Sequence, residues 1–201
     1  GCGREREIDD RRFHQIAAAA AAALNETGAA DAVTYLTELP VKGRDLNWKI
    51  RQIVETTEDA RYRFDQLKSK KDTPRRPLRK IILSVPGRRE LVGGEQAVRE
   101  GLAIAASVAL VKDLGNLPPN ICTPTYLADQ ARMLAHDFPT LQVEVLEEAD
   151  MERLGMGALL AVTRGSVQPA KLIQLAYRQG PATAKPQILI GKGVTFDTGG
   201  I

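Results

Sequence analysis

Apolar residues recur at helical spacing through four long stretches of this chain, and short unbroken apolar runs separate them. The first stretch covers residues 8–25, where Asp9 and Asp10 suit the positive end of a helix and Gly28 can stop it. The second, residues 46–70, interleaves Trp48, Ile50, Ile53, Val54, Tyr62, Phe64 and Leu67 with charges and predicts a long amphipathic helix. The third, residues 94–114, is rich in alanine and leucine and meets a hard stop at Gly115-Asn116-Leu117-Pro118-Pro119-Asn120. In the fourth, Thr123 at the N-cap and Pro124 in the first turn predict a helix reaching about Phe138.

Between these lie β-type runs at residues 32–37, 78–85, 143–146, 172–177 and 188–190. A short helix is expected over residues 147–154, closing at Gly155 and Gly157, and a further strand or turn over 159–163. Strands alternating with helices predict an α/β fold. The Pro118-Pro119 stretch is the candidate domain boundary, with the preceding helix as connector.

Composition narrows the class. The chain has 201 residues, 43% of them hydrophobic and only 4% aromatic, so alanine and leucine supply most of the apolar surface. That balance favours a helix-rich α/β protein over an all-β sandwich. No apolar run approaches the roughly 20 residues of a membrane span, and the opening Gly1-Cys2-Gly3-Arg4-Glu5 lacks the apolar core of a signal peptide. Cys2 and Cys122 have no neighbour at metal-ligand spacing, which suits reduced thiols and a cytoplasmic location. His14 and His136 sit among charged residues on helical stretches, as surface histidines do, and no Ser-His-Asp or Cys-His arrangement has local support. The formal charge is +3. Its excess is gathered in Lys68, Lys70, Lys71, Arg75, Arg76, Arg79, Lys80, Arg88 and Arg89, a cluster that suits a solvated loop or contact with phosphates.

The most distinctive chemistry lies in the closing residues. The run Ile188-Leu189-Ile190 leads into Gly191-Lys192-Gly193-Val194-Thr195-Phe196-Asp197-Thr198-Gly199-Gly200. A lysine at the end of a buried strand is costly unless its amine has a defined partner. In open α/β sheets ligands bind beyond the carboxyl ends of strands, where Lys192 and Asp197 are expected. The aspartate offers oxygen to a divalent cation, and the lysine can ligate only as the neutral amine. A salt bridge between the two and a phosphate-binding loop use the same residues. The spacing does not match the phosphate loop that ends in Gly-Lys-Ser/Thr. Chemistry alone leaves all three readings open.

At these residues the chain resembles a known family. The segment from Gly191 to Ile201 is similar to the first metal-binding motif of the leucyl (cytosol) aminopeptidases. Upstream, Lys112-Asp113-Leu114-Gly115-Asn116-Leu117-Pro118-Pro119-Asn120-Ile121-Cys122-Thr123-Pro124 resembles the opening of that family's catalytic domain. Val41-Lys42-Gly43-Arg44 and Pro74-Arg75-Arg76-Pro77-Leu78-Arg79-Lys80 look like the bacterial aminopeptidase A branch. The resemblance implies an N-terminal α/β domain over residues 1–112, ending in a long connector helix. Residues 113–201 would then begin a larger α/β catalytic domain with a mixed central sheet. It also implies that Lys192 ligates one metal ion and Asp197 bridges two. The ions are zinc or manganese, with magnesium or cobalt accepted at one position. The expected substrates are peptides cleaved at their N-terminal residue, and the expected assembly is a homo-hexamer of whole subunits.

The family's further requirements have no counterpart in this sequence. They are a catalytic lysine soon after the motif, another aspartate ligand and an Asn-Thr-Asp-Ala-Glu-Gly-Arg segment. The resemblance therefore implies an internal portion of a longer enzyme, inactive by itself. The branch that the chain resembles includes proteins that also bind DNA, so the resemblance, with the basic stretch, makes an architectural or regulatory DNA-binding role the alternative. A purely structural domain that sets oligomer geometry is compatible with either.

Overall fold

The computed structural model describes residues 8–71 and 78–196. The chain is a mixed α/β protein that divides into two compact units, Gly1–Asn116 and Leu117–Ile201.

The first unit begins with helix α1 (Asp10–Thr27). The Asp9 carboxylate accepts a hydrogen bond from the Arg12 amide at 2.8 Å, capping the helix. Gly28 ends it in a left-handed conformation, φ 68°. Phe13, Ala17 and Ala21 lie four residues apart and form its buried face. Strand β1 (Asp31–Thr34) follows, and after a short 3-10 turn comes α2 (Leu46–Arg61). There Asp45 accepts from the Trp48 amide at 2.7 Å. Strand β2 (Lys80–Leu83) pairs in parallel with β1 in the register Asp31 to Lys80 through Thr34 to Leu83. A second 3-10 turn leads into α3 (Leu91–Asn116).

The core of this unit gathers Ile8, Phe13, Val41 and Ile53, with Ile16, Leu36, Leu39, Trp48 and Leu83 packed around them. The Phe13 and Trp48 rings meet at 5.6 Å, tilted, and the Arg44 guanidinium lies 5.0 Å from the Trp48 ring while it pairs with Asp10. Helix α3 meets α2 through Gly94, Ala97 and Gly101, all buried. A Cβ on Gly101 would stand 3.0 Å from Val54 Cβ and 3.3 Å from Arg51 Cα, so a larger residue here would force its neighbours to give way.

The second unit holds α4 (Pro124–Asp137), β3 (Leu141–Leu146), α5 (Glu148–Arg153), α6 (Gly157–Thr163) and β4 (Leu172–Tyr177). Thr123 Oγ1 accepts from the Tyr126 amide at 3.2 Å and Pro124 occupies the first turn of α4. Strands β3 and β4 are antiparallel, with Leu141 opposite Tyr177 and Leu146 opposite Leu172. A reciprocal capping box between Glu147 and Asp150 opens α5, and the Met151 side chain is fully buried. Among the described residues no helix is long and apolar enough to cross a membrane.

Three expectations need correction. Helix α2 ends at Arg61, not near residue 70, because Tyr62 turns extended (ψ 134°). The carbonyls left open there are met by the Arg63 guanidinium, which donates to Ala60 O at 3.3 Å and Tyr62 O at 2.8 Å. Residues 159–163 belong to helix α6 rather than a strand; Gly155, at φ 71°, makes the turn between α5 and α6. Residues 188–190 form no strand: no neighbouring chain segment pairs with them among the described residues.

Candidate functional site

The residues expected to bind metal follow β4. Residues 178–196 contain no helix or strand, and Ile188, Leu189 and Ile190 are 75%, 97% and 94% exposed. Lys192 follows them and is also exposed, so its amine sits in water rather than at the end of a buried strand. Asp197, the other expected ligand, lies outside the described residues, as do Cys2, Arg75 and Arg76.

The other candidate side chains are not drawn together. His136 is exposed, with Nδ1 3.1 Å from Asp137 Oδ1, and His14 is exposed on α1. Cys122 is buried, and that burial pushes its thiol pKa up, which suits an inert structural residue. Among the described residues no group of three or more His, Cys, Asp or Glu side chains could hold a metal ion.

An amine and a carboxylate are suitable donor types for a divalent ion. Two donors fall short of the four that a closed zinc site uses, and a dinuclear centre needs more. The residues therefore fit part of a metal site in kind, but do not complete one in number.

A polar cluster that sequence reading did not single out lies at the far end of α2. Tyr62 Oη donates to Asp113 Oδ1 at 2.7 Å and accepts from Asn116 Nδ2 at 3.2 Å. The Lys112 amine stands 5.1 Å from the Tyr62 ring centroid and pairs with Asp59. Burial, followed by the Asp113 hydrogen bond, raises the Tyr62 pKa, so the hydroxyl keeps its proton and donates. The i, i+3 spacing of Asp113 and Asn116 became a signal only once α3 was seen to reach Asn116, because the expected helix end near Leu114 left Asn116 outside it. A groove of about 700 Å³ runs beside this cluster between α2 and α3. The acids Glu58 and Asp59 on its wall are paired with Arg61 and Lys112.

Sequence comparison places this chain in a family. The model of the cytosol aminopeptidase family's N-terminal domain matches residues 1–71, and that of its catalytic domain matches residues 109–201. The chain belongs to the cytosol aminopeptidase family. It is 59% identical over 201 residues to a probable cytosol aminopeptidase of Thioalkalivibrio sulfidiphilus, covering 100% of this chain and 40% of that relative. Among solved structures it resembles a mutant tomato leucine aminopeptidase with TM-score 0.76 and 26% identity, over 94% of this chain and 37% of that one. It also resembles the bottromycin maturation enzyme BotP in complex with Mn, with TM-score 0.66 and 32% identity, over 82% and 32% of the two chains. The chain thus spans about two-fifths of the length of the curated relative it matches.

Proposed function

We propose that these residues are part of a dinuclear-metal aminopeptidase that releases N-terminal amino acids from peptides. The observation that carries this reading is the order of the two family matches, N-terminal domain before catalytic domain. The second match also includes the Lys192–Asp197 segment. In this reading residues 1–112 supply the N-terminal domain with its connector helix, and residues 113–201 open the catalytic domain.

Lys192 would hold one ion through its side-chain nitrogen. Asp197 would hold metal through its carboxylate oxygens. Divalent ions in such a centre polarise a scissile carbonyl and lower the pKa of a water. Zinc or manganese suits the nitrogen and oxygen donors, with magnesium or cobalt as alternatives; the manganese in the BotP complex supports this class of metal. The remaining donors would come from sequence that the relatives carry beyond the matched stretch. We assign the whole protein to the cytoplasm and to a homo-hexamer on the same family grounds.

Nothing in the family matches or the relatives above supports the DNA-binding alternative. The test is a hydrolysis assay on a leucyl chromogenic substrate with added Zn²⁺ or Mn²⁺. A polypeptide of full family length is expected to turn over, and the 201-residue chain is not. An inactive full-length protein sinks the assignment, and turnover by the chain at the full-length rate sinks the claim that its site is partial.

A further inference from the structure

The last turn of α3 is poorly supported by its own sequence. Gly115 lies inside it, and glycine is about 1 kcal/mol less favourable than alanine in a helix. No basic residue occupies the turn, and Asp113 places negative charge at the negative end of the helix dipole. The sequence predicts a helix ending near Leu114, yet α3 continues to Asn116.

We propose that Tyr62 is a clasp that sets the end of α3, holding its final turn to the end of α2 through Asp113 and Asn116. The hydroxyl uses its donor on one side chain and an acceptor lone pair on the other, and the i, i+3 spacing puts both on one helix face. The Lys112 amine over the ring, paired with Asp59, ties the preceding turn to the same place. Tyr62 can reach because it leaves the helical path directly after Arg61, so the early end of α2 and the late end of α3 have one cause.

The clasp also crosses the boundary between the two family matches. Asp59 and Tyr62 fall in the N-terminal match, and Lys112, Asp113 and Asn116 fall in the catalytic one. The residues that begin the catalytic-domain sequence are thereby fastened to the first unit. On the far side, the Ile121 and Cys122 amides both donate to Pro118 O at 2.9 Å. Leu117 precedes a proline and is itself biased away from helical angles. The clasp fixes Leu117 as the residue where α3 gives way to the next unit.

Amide hydrogen exchange on the 201-residue chain tests this. Tyr62→Phe keeps the ring and its contact with Lys112 but removes the hydroxyl. Amides of residues 113–117 are expected to exchange about 3- to 10-fold faster, the scale of one lost hydrogen bond, while α1 and the first turns of α2 keep their protection. Asp113→Ala, which removes the acceptor, is expected to reproduce the effect, and Asp113→Asn, which keeps an acceptor oxygen, to leave protection near that of the unaltered chain. Unchanged exchange at 113–117 in Tyr62→Phe and Asp113→Ala overturns the proposal. So does acceleration spread evenly through α1, α2 and α3, because Tyr62 would then support the whole unit rather than one turn.

Discussion

Residues 172–177 and residues 188–190 read almost alike in sequence, and the molecule treats them in opposite ways. Leu172–Tyr177 is strand β4, paired along all six residues with β3. Ile188, Leu189 and Ile190 are more apolar, yet they stand in water without a ladder. An apolar run states which side chains gain from burial. A strand needs, in addition, a neighbour to take its backbone donors and acceptors. The contrast extends across the chain: residues whose partners are present hold structure, and hydrophobicity alone does not.

Substitutions can break that contrast, and their effects should follow the partners rather than the apolar area removed. Met151→Ala empties a fully buried site in the unit that holds β3 and β4. A loss of about 2–5 kcal/mol in urea unfolding is expected. Gly101→Ala places a methyl group against Val54 and the Arg51 backbone. Overpacking of about 1–3 kcal/mol opposes a gain in helix propensity of about 1 kcal/mol, so a net loss of roughly 1 kcal/mol should appear in the same measurement. Thr123→Ala removes the cap of α4 and is expected to lower stability by about 1 kcal/mol.

A pH series examines the first unit. The hydrogen bond from Arg44, with that guanidinium's charge, holds the Asp10 carboxyl below the usual carboxylate range. The unfolded chain then binds more protons in acid, so the contribution of Asp10 is complete above its unfolded pKa and is lost as pH falls through the folded one. Asp10→Asn should lower the neutral plateau by the small amount expected of an exposed pair and leave stability in acid nearly unchanged, so that the acid limb flattens. The smallest effect is expected from Leu189→Ala. It removes a larger apolar side chain than Thr123→Ala does, yet should stay within about 0.5 kcal/mol because Leu189 is 97% exposed. A Leu189→Ala loss as large as that of Met151→Ala would reverse the comparison.

Local signals made much of the fold legible. Asp9 and Gly28 bracket α1, Thr123 and Pro124 start α4, and residues 172–177 match β4 to the residue. Each of these is decided within a few positions of itself. The readings that failed depend on distant residues. The charged amphipathic pattern runs on to residue 70, but Tyr62 leaves α2 to bond Asp113 and Asn116, more than fifty positions away. Residues 159–163 are too short for periodicity to separate helix from strand. For the candidate site, residue type and spacing left three readings of Lys192 and Asp197 open, and only the family resemblance pointed to metal binding. What neighbouring positions could not reveal is the solvent setting of Lys192, because it depends on which strands stand beside residues 188–190.

The central claim is that Lys192 is a metal donor in an aminopeptidase of this family, and metal analysis tests it most directly. Full-length protein purified with Mn²⁺ or Zn²⁺ is compared with its Lys192→Ala variant by elemental analysis and leucyl-substrate turnover. The variant is expected to hold less metal per subunit and to lose at least about 100-fold in activity, more than removal of an outer partner causes. Equal metal content with equal turnover would contradict the claim.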